Sequence, residues 1–81
     1  MLGHLQFRAL SPDEQTAYVF IYGTYLAQRY ELEYGINLYH LDTFFCEVWV
    51  CQVQSEVVRL RSFTSRQPLL PYAALVRLPA L

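Results

Sequence analysis

The chain has 81 residues and a formal net charge of -1, with seven acidic residues, six arginines and no lysine. That balance leaves no electrostatic footprint for a phosphate backbone, which argues against nucleic acid as the ligand. The missing lysine amine excludes Walker-type phosphate binding, Schiff-base formation and Ser-Lys catalysis together. A hydrophobic fraction of 54% with 16% aromatic residues exceeds what the core of one small domain, residues 1–81, readily hides, and surplus apolar surface is ordinarily covered by a partner.

Met1 to Leu10 carries Leu5, Phe7 and Ala9 in loose alternation, which reads as an irregular or extended arm. It lacks the apolar core and small-residue cleavage pattern of a secretory signal. Ser11-Pro12-Asp13-Glu14 is the strongest local signal. A serine N-cap, proline at the first helical position and a glutamate three residues on complete a capping box, and two acids sit in the positive first turn. The helix runs to Tyr22, with Gly23 as its expected left-handed cap. From Ala17 onward it is apolar almost all round, which predicts that its far end is buried on more than one side.

Aromatic and β-branched content then predicts strands at Thr24 to about Glu31, Ile36 to His40, Phe44 to Val53 and Val57 to Phe63. The connections are Leu32 to Gly35, Leu41-Asp42-Thr43 and Gln54-Ser55-Glu56. The third strand is nearly unbroken apolar residue and must be covered on both faces. The fold class is therefore α+β: an N-terminal helix on a four-stranded antiparallel meander. An apolar, proline-containing C-terminal segment from Thr64 to Leu81 follows, and Pro71 is placed to open a helical turn through Val76. That segment covers part of the second sheet face or crosses to another subunit.

Three-residue loops set Val50 opposite Leu60 and Trp49 opposite Arg61, Cys51 opposite Arg59, Ile36 opposite Val48 and Leu38 opposite Cys46. One face then carries Ile36, Leu38, Phe44, Cys46, Val48, Val50, Val58 and Leu60 as a core under the helix. The other carries Tyr39, Phe45, Glu47, Trp49, Arg59 and Arg61, an aromatic and arginine surface with Trp49 at its centre. Arginine stacked among aromatics is the composition of an interface. On the same face Tyr39, Glu47, Trp49, Arg59 and Arg61 would suit a small anionic ligand, with Glu47 as acid or base and Trp49 as a stacking wall.

Cys46 and Cys51 are separated by an odd number of strand positions and point to opposite faces, so they do not pair. Two free thiols without a CxxC motif place the chain in a reducing compartment, most simply the cytoplasm. Each thiol reads by default as a small hydrophobe, Cys51 near Arg59 being the better nucleophile of the two. His40 has no companions for a metal site, and three glycines in separate settings form no phosphate-cradling loop. No metal, cofactor or membrane span is implied. The expectation is a protein interaction module that forms a homodimer or binds another protein through its aromatic and arginine face. The alternatives are a binder of a small anion and a small ribonuclease of the toxin-module kind, drawing on His40, Glu47, Arg59 and Arg61.

Overall fold

The computed structural model describes residues 1–73. Two helices, α1 (His4–Arg8) and α2 (Pro12–Tyr22), precede four strands, β1 (Thr24–Glu31), β2 (Tyr34–Leu41), β3 (Phe44–Cys51) and β4 (Glu56–Phe63). A short 3-10 helix, Gln67–Tyr72, follows, here called the proline helix. The strands form one antiparallel sheet in the order β1-β2-β3-β4. The α+β meander is thus the observed architecture.

The capping box forms as its sequence dictates. Glu14 N donates to Ser11 Oγ at 3.2 Å, and Ser11 N donates to Glu14 Oε1 at 3.0 Å. Gly23 ends the helix in extended backbone, at φ −78 and ψ 146, and not in the left-handed region. Its need for glycine is spatial: a Cβ there would lie 2.5 Å from the Val19 carbonyl oxygen and 3.2 Å from the Tyr39 side chain. The N-terminal arm is helical where the sequence reads as irregular. Gly3 N donates to Gln6 Oε1 at 2.9 Å, and Phe7 drives its ring against Phe44 at 5.0 Å between centroids. Tertiary burial of one aromatic decides a segment whose local pattern is weak.

The turns differ from those expected, and with them the register. Asp42 and Thr43 alone connect β2 to β3, so Leu41 pairs with Phe44, Tyr39 with Cys46 and Leu38 with Glu47. A two-residue turn in place of three sends every side chain of β2 to the opposite face. Ile36 and Leu38 therefore leave the helix-covered face, and Tyr39 joins it. Between β3 and β4 the turn takes Gln52 to Ser55, and the pairing shifts by two: Trp49 faces Arg59, Glu47 faces Arg61 and Val48 faces Leu60. A shift of two preserves the faces, so Glu47, Trp49, Arg59 and Arg61 still share one side. An irregularity between Trp49 and Val50 then puts Val57 opposite Val50 and Glu56 opposite Cys51.

Each sheet face has its own core. Under the two helices lie Phe7, Val19, Leu41, Phe44, Cys46 and Val48. On the other face Ala27, Leu38, Phe45 and Phe63 are closed over by Leu69 and Tyr72 of the proline helix. The chain's own C-terminal segment thus covers part of the second face, beginning at Gln67 and not at Pro71; the expected continuation to Val76 extends outside the described residues. The far end of α2 is not buried on several sides. Val19 alone is buried in that helix, while Phe20, Ile21 and Tyr22 stand more than half exposed.

Candidate functional site

Glu47 is the one buried charged residue among those described, at 0% exposure in the middle of β3. An unpaired carboxylate there would be prohibitively costly, so its partners define the face. Its Oε2 accepts from Arg29 Nη2 at 3.2 Å and from the Tyr72 hydroxyl at 2.6 Å. Oε1 accepts from Trp49 Nε1 at 3.3 Å and more weakly from Arg61 Nη1 at 3.5 Å. A carboxylate offers about four lone-pair sites, and these donors engage both oxygens.

The donors come from four elements. Arg29 lies on the edge strand β1 opposite Ile36, Arg61 on the other edge strand opposite Glu47, Trp49 two residues along β3, and Tyr72 at the end of the proline helix. Arg29 also donates to Glu31 at 2.8 Å. Its guanidinium lies 5.6 Å from the Trp49 ring and 5.4 Å from the Tyr72 ring, and the Arg59 guanidinium lies 5.1 Å from the Trp49 ring. Partial burial disfavours the Arg29 charge, but its interactions with Glu31, Tyr72 and Glu47 outweigh that and raise it, so it stays cationic. Burial and the neighbouring Glu47 carboxylate hold the Tyr72 phenol above its ordinary range, protonated and donating.

Five of the six residues expected on this face are on it: Phe45, Glu47, Trp49, Arg59 and Arg61. Tyr39 is not. It lies on the helix side, its ring 6.0 Å from Phe20 and 5.9 Å from Tyr25. Phe45 and Glu47 are sealed from solvent by the chain itself, so neither is accessible to a partner or substrate in this fold. Glu47 accordingly has its oxygens engaged and shielded, which does not suit a general acid or base acting on a bound molecule. Arg29 and Tyr72 are the members that sequence reasoning missed. The available signal was Glu47 itself, because a carboxylate inside an apolar strand requires donors from somewhere.

Arg29 and Arg61 also line a cleft of about 340 Å³ beside the proline helix, together with Ser65, Gln67, Pro68 and Pro71. A second cleft, of about 370 Å³, runs between α2 and β4 past Pro12, Thr16, Ala17, Val57, Val58 and Leu60.

The remaining reactive groups are placed less favourably. Cys46 and Cys51 are both free and buried, and burial pushes the Cys46 thiol up to about 12, which leaves it inert near neutral pH. Cys51 faces Glu56 and not Arg59, so the cation expected to activate it is elsewhere. His40 stacks on Phe45 at 4.8 Å. His4 Nε2 meets Ser62 Oγ at 2.9 Å across 58 residues of sequence, a pair with no sequence signature. Burial, then the Arg8 charge, lowers the His4 pKa, but neither residue lines the clefts described. Among the described residues no group of three or more His, Cys, Asp or Glu gathers as a metal site, and no helix is long and apolar enough to cross a membrane.

Comparison with protein-family models, curated proteins and solved structures finds no match to this chain.

Proposed function

We propose that this protein is an interaction module that self-associates as a homodimer through the exposed side of α2 and the start of β1. The observation that carries the reading is the mismatch between composition and burial in α2. That helix is apolar nearly all round from Ala17, yet it buries Val19 and leaves Phe20, Ile21 and Tyr22 in solvent beside Tyr25. Phe20 and Tyr25 both approach the Tyr39 ring, so these three rings form one cluster, while the Tyr22 ring lies against Tyr18 on the same helix.

The patch favours a second copy over a charged partner. From Gln15 to Gln28 the chain carries no charged residue. A two-fold interface sets a surface against itself, and a charge-free surface does so without like-charge contact. The second sheet face, where the aromatic and arginine residues first suggested an interface, is occupied by the proline helix and offers less. Two free cysteines fit a reducing compartment, and the cytoplasm is the location this reading takes.

Light scattering over a dilution series tests it. The wild-type chain is expected at the mass of two chains at high concentration, dissociating on dilution. Ile21→Asp, which sets a carboxylate against its twin at the same interface, is expected to be monomeric throughout. A wild-type mass of one chain at every concentration contradicts the reading.

A further inference from the structure

We infer that the cleft between the two edge strands and the proline helix binds a compact organic oxyanion, a carboxylate or a phosphate group, on the paired guanidinium groups of Arg29 and Arg61. Among the described residues the cleft has charged lining of one sign: two arginines, no acidic residue, and the neutral polar side chains of Ser65 and Gln67. Its volume of about 340 Å³ lies at the small end of ligand pockets, roughly 300–1,000 Å³. The occupant it suits is correspondingly small.

The arginines are held in place before any ligand arrives. Arg29 and Arg61 stand on opposite edges of the sheet and are drawn together by Glu47 between them, which takes one donor from each, at 3.2 and 3.5 Å. A guanidinium has five N–H donors; Arg29 gives one to Glu31 at 2.8 Å and one to Glu47, and Arg61 gives one to Glu47, so donors remain on both. Arg29 Nε is buried and has no acceptor among the described residues. Arg61 keeps 41% of its side chain exposed, and its contact with Glu47 is the longest of the three ion pairs described. Pro68 and Pro71 supply a wall with fixed backbone φ, so the cleft needs little ordering on binding. Guanidinium forks match the planar geometry of carboxylate and phosphate oxygens, which is why the ligand class is an oxyanion and not a halide.

The chain's single tryptophan is the reporter. Trp49 lies against the Arg29 guanidinium at 5.6 Å and donates to Glu47, so a ligand that draws on Arg29 changes its surroundings. The experiment titrates the full chain with inorganic phosphate in one arm and malonate in another, with sodium chloride at matched ionic strength as reference, reading Trp49 emission and calorimetric heat. Saturable binding of phosphate identifies a phosphate-type ligand and saturable binding of malonate a carboxylate; either is the expected result. Arg61→Gln should weaken that binding about tenfold or more, and Gln67→Ala, on the exposed side of the cleft, should weaken it less while leaving the fold intact. Responses to both probes that match sodium chloride overturn the inference, as does an Arg61→Gln protein that is folded by thermal melting and binds like wild type. The result is independent of assembly, because it is read at a concentration where the solution mass is separately known.

Discussion

Two of the helices that cover the sheet, α2 and the proline helix, make opposite uses of their residues. α2 has eleven residues, a complete capping box and an apolar circumference, yet it buries one side chain, Val19. The proline helix has six residues, two prolines and no side-chain cap, yet it buries Leu69 and Tyr72 and supplies the shortest bond to the buried carboxylate. Local signal strength and tertiary contribution are therefore separate quantities. A capped helix forms because its ends are satisfied, whereas a short proline-bounded turn persists because of what it covers.

The proline-helix cover depends most on Glu47. Glu47→Ala leaves Arg29 and Tyr72 without their shared acceptor under the proline helix, and the expected cost is about 3–5 kcal/mol, measured by urea unfolding. Tyr72→Phe keeps the ring and deletes one hydrogen bond to a charged group, so about 1.5–3 kcal/mol is expected. The same residue sets a pH dependence. The Tyr72 phenol is held above its ordinary value in the folded chain by burial and by Glu47. Its contribution is therefore complete below about pH 10, where the unfolded phenol begins to ionise, and is lost as pH rises toward and through the folded-state value. Tyr39, raised by burial and by Tyr25, acts in the same direction. Unfolding midpoints should fall above that pH in wild type and fall less steeply in Tyr72→Phe.

The α2 side is expected to respond more weakly. Ser11→Ala removes the cap and should cost about 1 kcal/mol, visible in the same urea titration of a dilute sample. Ile21→Asp, on the exposed side, should change monomer stability by no more than about 0.5 kcal/mol while abolishing self-association. An Ile21→Asp protein destabilised as much as Tyr72→Phe would show that this side chain contributes to the fold and not to an interface.

How much of this was legible in the sequence follows from the same contrast. The capping box, the start of α2 and the β1, β3 and β4 segments are each carried by neighbouring residues, and they read directly. The β2 register did not, because Ile36, Leu38, Tyr39 and Leu41 place apolar residues on both parities and no polar stripe chooses a face. The turns also hid themselves. Leu32 at φ 55 and Ser55 at φ 56 occupy the left-handed region without glycine, while Gly35 sits inside β2, where a Cβ would meet the Gln52 side chain at 2.6 Å. Glycine therefore marked the wrong residue as the turn. At the site, Glu47, Trp49, Arg59 and Arg61 were legible as one face because β3 and β4 slipped by an even number. Arg29 and Tyr72 were not, since their meeting with Glu47 spans 18 and 25 residues and rests on tertiary closure.

The claim that the chain closes one sheet face itself and leaves the α2 side for a second copy is tested most directly by tyrosine footprinting at several protein concentrations. Tyr72 is 0% exposed, whereas Tyr22 and Tyr25 are each 54% exposed. Tyr72 is expected to be protected at every concentration, and Tyr22 and Tyr25 to be labelled in dilute solution and protected as concentration rises. Labelling of Tyr72 comparable to Tyr25, or labelling of Tyr22 and Tyr25 that does not change with concentration, would contradict the account.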